Sequence, residues 1–205
     1  MRHRTTIPDD MKNFRDITDL MKRQQMPLPS QKVQIQVPDA EKVLQEALLH
    51  FLMAEGRRMQ WLPEYAKVAA WLAANQGKGL FLYGNCGRGK SLLCRYVLPA
   101  ILLGYCRRVV SVFDTQQMNS NIDLVLSKHI ISLDDVGTEE VSNVFGNRRM
   151  AFAEVMDAAE KHGKLLIIST NLPVDDIRKR YGDRVLDRIK STTTRVLFEG
   201  ESLRK

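Results

Sequence analysis

The run GLFLYGNCGRGKS, residues 79–91, limits the fold more than any other part of the 205-residue chain. An apolar segment leads into three closely spaced glycines, Gly84, Gly87 and Gly89. Lys90, Ser91 and a helical pattern, SLLCRYVL, follow. Strand, glycine loop and helix in that order, with the spacing G-x-x-x-x-G-K-[ST], describe a phosphate-binding loop. Several backbone N–H groups must come close to phosphate oxygens. Side chains would block that approach and positive φ is needed, so glycine is favoured. The helix start adds its dipole. The expected contacts are Gly84, Asn85, Cys86, Gly87, Arg88, Gly89, Lys90, Ser91 and Leu92. Asn85, Cys86 and Arg88 would contribute mainly backbone, with the Arg88 side chain facing solvent. Lys90 would reach the β- and γ-phosphates of a nucleotide, and the Ser91 hydroxyl would ligate Mg²⁺.

From residue 79 onward, short apolar runs alternate with helical segments. The runs are 79–83, 109–113, 129–133, 164–169 and 195–199, and residues 90–104 and 147–162 supply two of the helices. Continuous apolar strands separated by helices predict a five-stranded parallel sheet, buried on both faces in a three-layer α/β fold.

The third run, ISLDDVG (131–137), ends in two carboxylates. A phosphate-binding loop needs an acid at a neighbouring strand end to hold Mg²⁺, directly or through water. Asp134 stands there, and Asp135 is placed to polarise a water for attack on the γ-phosphate. Glu139 and Glu140 read as surface.

Upstream, Phe14, Ile17, Leu20 and Met21 share one face of a helix over 10–25. Pro27 and Pro29 mark 26–32 as a linker, and VQIQV (33–37) alternates like a short strand. Asp39 reads as the N-cap of a helix carrying Val43, Ala47, Leu48, Phe51 and Leu52, with Gly56 as its stop. Pro63 opens another helix through Trp71 and Leu72. The boundary is placed between an extension, 1–60, and the main domain, 61–205.

No apolar stretch reaches membrane-spanning length, and the start lacks an apolar signal region, so a cytoplasmic protein is expected. Cys86, Cys94 and Cys106 form no C-x-x-C pair, which argues against a zinc site or a disulfide framework. The net charge is +7. Residues 161–205 carry 11 Lys or Arg against 6 Asp or Glu and supply most of that excess. A basic segment of this kind can meet phosphates or form an ordinary solvated face.

GLFLYGNCGRGKS, ISLDDVG, LIISTNLP, YGDRVLDRI and FEGESLRK occur in the order and at the approximate spacing of the AAA+ helicase-loader ATPases. Over about 61–205 the chain resembles the DnaC/DnaI loaders and their IstB transposition-helper relatives. The resemblance implies an AAA+ core with a short helical N-terminal extension and no C-terminal lid. It implies that Asn171 is the sensor-1 residue that helps place the attacking water. Arg184 and Arg188 match the arginine-finger region, which acts on a neighbouring subunit's γ-phosphate. Arg188 is preferred, because the family's arginine stands just before an apolar residue at that helix's end. Arg204 matches the family's terminal arginine. The catalytic set is then Lys90, Asp135, Asn171, Arg184 and Arg188, with Ser91 and Asp134 on the metal side.

The implied function is ATP binding and hydrolysis at subunit interfaces of a homo-oligomer, controlling delivery of a DnaB-like replicative hexameric helicase to DNA, with single-stranded DNA favoured. The segment 114–128, which loaders often use to bind single-stranded DNA, is short here. The N-terminal part, lacking the zinc-binding cysteines of some loaders, would dock the partner through its amphipathic helix. The alternative is an IstB-like transposase-assisting ATPase that binds DNA. A small-molecule kinase is disfavoured by the STN and DRVLDRI elements.

Overall fold

In a computed structural model of the chain, residues 13–138, 142–144 and 147–203 are described. Glu139, Glu140 and Arg204 lie outside them. The chain forms two units, Met1–Gln31 and Lys32–Lys205.

In the first unit, α1 (Phe14–Arg23) starts at Asn13, whose side chain accepts from the Arg15 amide. None of its residues is buried, and Phe14 is 81% exposed.

In the second unit all five apolar runs become strands. They are β1 (Gly79–Gly84), β2 (Ser111–Asp114), β3 (Ile130–Val136), β6 (Leu165–Thr170) and β7 (Thr193–Phe198). The order is β2-β3-β6-β1-β7, every pairing parallel. The strands alternate between two cores. Leu80, Leu82, Leu165, Ile167 and Val196 face one, and Phe81, Leu166, Ile168, Ile131 and Leu133 the other. The first core is covered by α2 (Ala40–Ala54), α3 (Pro63–Ala73) and the helical run that follows the glycine loop. The second is covered by α6 (Thr115–Ser120), α7 (Ile122–Ser127), α8 (Ala151–His162), α9 (Val174–Tyr181) and α10 (Asp183–Thr192). This is the three-layer α/β arrangement read from the sequence. No helix among the described residues is long and apolar enough to cross a membrane.

Three local readings are corrected, and a fourth holds without its expected side-chain bond. VQIQV is not a strand. Val33, Ile35 and Val37 are buried in alternation, but their backbone partners are a helix end and a side chain. The Val37 amide donates to Leu72 O, and the Ile35 amide donates to Asn75 Oδ1. The Asn75 Nδ2 group donates to Val33 O. Buried by these contacts, 33–37 joins the main unit, as do Leu44, Leu48 and Leu52 of α2. The boundary therefore falls at 31/32 and not at 60/61. The helix expected from 147 starts at Ala151, because β5 (Asn147–Arg149) pairs antiparallel with β4 (Ser142–Val144). Asp39 does stand at the N-cap of α2, but with φ 48° and no side-chain capping bond.

The helical run after the glycine loop is broken in phase. α4 (Lys90–Leu92) passes into a π-turn, Leu93–Val97, and then into α5 (Leu98–Cys106). Pro99 explains the break: it has no N–H to give to Arg95 O, and its ring would press on that carbonyl. The Leu98 amide reaches back to Leu93 O, so Cys94 O is left without its α-helical donor. Ser132 Oγ of β3 donates to it over 2.8 Å.

Candidate functional site

The carboxyl ends of β1, β3 and β6 converge on one cavity of about 360 Å³. Cys86, Gly87, Gly89, Lys90, Ser91, Leu92, Arg95, Asp135 and Asn171 line it. The structure thus brings Lys90, Ser91, Asp135 and Asn171 together from three separate segments, with Asp134 adjacent.

The loop geometry follows from its glycines. Gly84 ends β1 at φ +115°, and a Cβ there would lie 2.3 Å from Phe198 O. Gly87 has φ +74°, and a Cβ would meet Ser202 Oγ at 2.1 Å. The loop is also tied to the segment after β7. The Asn85 amide donates to Phe198 O (2.8 Å), Asn85 Nδ2 to Gly200 O (3.0 Å) and the Leu203 amide to Gly87 O (3.0 Å). Lys90 is 5% exposed, and its Nζ donates to Gly84 O (2.9 Å) and Asn85 O (2.7 Å). Burial pulls its ammonium below the usual lysine value, opposed by nearby Cys86 and Asp135.

Arg88 is not solvent-facing, as the sequence led one to expect. Its Nη2 donates to Glu64 Oε1 of α3 over 2.7 Å, with both side chains nearly buried. The Glu199 amide donates to the same oxygen. Beside them, burial first and the Glu64 charge second push the Tyr65 hydroxyl up to about 12.

The two acids diverge at a bulge. The β3–β6 register shifts between Leu133 and Val136, and Asp135 takes φ +60°. An added residue bends the strand and re-aims side chains. Asp134 stays 2% exposed, whereas Asp135 lines the cavity. Ser169 of β6 bridges the pair. Its hydroxyl accepts from the Asp135 amide (2.9 Å) and donates to Asp134 Oδ1 (2.5 Å). Asn171 Nδ2 donates to Asp135 Oδ1 over 2.7 Å. On the other side, Arg95 Nε donates to Asp134 Oδ2 over 2.5 Å. Arg95 and Ser169 were not singled out from the sequence. Ser169 had a signal, as the residue two before Asn171 in STN; Arg95 lies one turn beyond Ser91.

The expected finger arginines differ in setting. Arg188 of α10 is only 10% exposed in its side chain and pairs within the same chain with Asp157 and with Glu160 (2.7 Å), both on α8. Arg184 is 76% exposed, with a longer contact of 3.4 Å to Asp157. Arg184 is thus the one presented outward.

The residues suit a magnesium nucleotide in kind. Among the described residues no group of three or more His, Cys, Asp or Glu side chains could hold a metal alone. Mg²⁺ instead keeps several waters and takes one or two protein ligands plus phosphate oxygens. Ser91, which lines the cavity, and Asp134, buried behind it, are the residues that would supply that minimal set, beside a glycine loop whose closeness to Phe198 and Ser202 leaves no room for added side chains.

No family model matches the sequence, and no curated protein matches it. Among solved structures, the DnaC helicase loader is similar with a TM-score of 0.58 at 19% identity, over 77% of this chain and 99% of that one. The structure of DnaI is similar with a TM-score of 0.53 at 19% identity, over 77% of this chain and 93% of that one. At such identity the likeness is one of fold: the main unit shares the five-stranded parallel α/β fold of the solved DnaC and DnaI structures.

Proposed function

We propose that the chain is an ATP-hydrolysing protein of the helicase-loader type. The observation that carries the reading is the meeting of Lys90, Ser91, Asp135 and Asn171 around one cavity beside a glycine loop. The triphosphate lies along the amides of Gly84–Ser91, and Lys90 turns from the loop carbonyls to the β- and γ-phosphates. A second cavity of about 700 Å³, lined by Arg57, Arg58, Met59, Gln60 and Arg88, adjoins the loop and suits the nucleoside. Ser91 and Asp134 would hold magnesium, which would supply charge neutralisation at the phosphates. Asp135 accepts a proton from the attacking water, and Asn171 orients Asp135 and that water.

Hydrolysis occurs between copies of the chain, with an arginine from the neighbour on the transferred phosphoryl group. The exposure of Arg184 supports it for this role over Arg188, which is committed to α8. The apolar face of α1, with Phe14 and Leu20 exposed, is the contact for a DnaB-like helicase, and single-stranded DNA is the favoured nucleic acid.

The test combines two measurements: ATP turnover by the full chain with and without DNA, and co-purification with a replicative helicase in ATP and in a non-hydrolysable analogue. Nucleotide-dependent capture of the helicase supports the loader reading. Capture of a transposase instead would place the chain with the transposition helpers, and no nucleotide binding at all would remove the ATPase reading.

A further inference from the structure

β3 grips the π-turn at two successive points on one strand face. Ser132 Oγ takes Cys94 O, and Asp134 Oδ2 takes the neighbouring Arg95 Nε. Both oxygens of Asp134 are thereby engaged, Oδ1 by Ser169 and Oδ2 by Arg95. A buried carboxylate needs a counter-charge, and here a guanidinium from the same chain provides it. A hydrated divalent cation at Asp134 would meet that guanidinium at close range, and two cations on one carboxylate repel. Arg95 has somewhere to go: its side chain is 43% exposed and already lines the cavity of Lys90 and Ser91.

From this we infer that Arg95 is a positioning residue which holds Asp134 while the site lacks metal and yields it when a magnesium-bound triphosphate enters. The inference rests on the ATP-site reading above. Ser132 fixes the backbone of the turn while the Arg95 side chain swings. The exchange opposes magnesium, so the chain gains less affinity from Mg²⁺ than its loop and acid would otherwise give.

The test uses the full chain and a fluorescent ATP analogue, measuring its dissociation constant in excess EDTA and across a Mg²⁺ titration. In Arg95→Gln the ratio of metal-free to metal-bound dissociation constants rises roughly five- to tenfold, the range for a partly exposed charge-assisted bond. Arg95→Lys falls between the two. In an Asp134→Asn background, Arg95→Gln changes the ratio no further.

An unchanged ratio in Arg95→Gln, or an effect that persists without Asp134, overturns the inference. So does weaker binding of the magnesium nucleotide in Arg95→Gln, which would make Arg95 a phosphate ligand. Should Arg95→Gln fail to fold, Arg95→Lys decides, and a wild-type ratio there overturns it. If no form of the protein binds nucleotide, the ATP reading falls and takes this inference with it. If nucleotide binds and only the metal dependence is unmoved, the inference alone falls.

Discussion

Asn171 at the end of β6 donates its amide to Asp135 Oδ1 at the neighbouring end of β3, over 2.7 Å. That bond holds in place a carboxylate that its own backbone turns into the cavity. Asp135→Asn keeps the shape and removes the basic oxygens. Turnover should fall by about 10²- to 10³-fold, within the range for losing a general base. Nucleotide affinity should stay within a few-fold. Single-turnover hydrolysis and equilibrium binding on the same preparation check both halves.

Lys90 spends its ammonium on two loop carbonyls, those of Gly84 and Asn85. Lys90→Ala should weaken nucleotide binding by about 10- to 100-fold, the value of charge-assisted hydrogen bonds to phosphate. Equilibrium binding of labelled ATP measures it; unchanged affinity would remove the lysine from the phosphate site.

Gly84→Ala would place a methyl group 2.3 Å from Phe198 O at a φ of +115°. The obstacle is backbone in the adjacent strand and cannot rotate away. The expected loss is about 2–4 kcal/mol of stability, read as a lower midpoint in denaturant.

Arg188 and Arg184 should separate by what each loses. Arg188→Ala removes the partner of Asp157 and Glu160 and should lower Tm by a few degrees. Arg184→Ala should leave Tm unchanged and abolish turnover that depends on assembly. The pH dependence of the first effect has a defined sign. Asp157 is held below the usual carboxylate range, first by the Lys161 hydrogen bond and then by Arg188 and Arg184. Its contribution is present above the unfolded-state value and is lost as pH falls through the depressed one. The Tm difference between wild type and Arg188→Ala should therefore shrink on acidification, as melts from neutral to strongly acid pH would show.

The central strands β1, β3 and β6 were legible because each is apolar on both faces, a pattern that burial between two helical layers imposes; the edge strands β2 and β7 are only partly buried and were legible as short apolar runs. Lys90, Ser91 and Asp135 were singled out by the spacing of a phosphate loop and the end of an apolar run, and Asn171 by the family resemblance; the structure brings all four to one cavity. Features that depend on distant partners were not. The alternation of Val33, Ile35 and Val37 reports burial, and nothing nearby says that Asn75 takes the place of a neighbouring strand. Arg88 reads as a surface residue until Glu64 is brought beneath it. Arg188 looks free until α8 presents Asp157 and Glu160. The bulge that parts Asp134 from Asp135 arises from pairing with β6, which no local pattern encodes.

β1 lies between β6 and β7, so Leu82 is flanked by Ser169 and Val196, both synthesised long after it. On the ribosome the loop-bearing strand emerges early and waits, apolar and unpaired, for neighbours on both sides. A nascent chain therefore cannot shape its glycine loop until residues 193–198 are free, and through that interval the bare strand edge is open to chaperones and to aggregation.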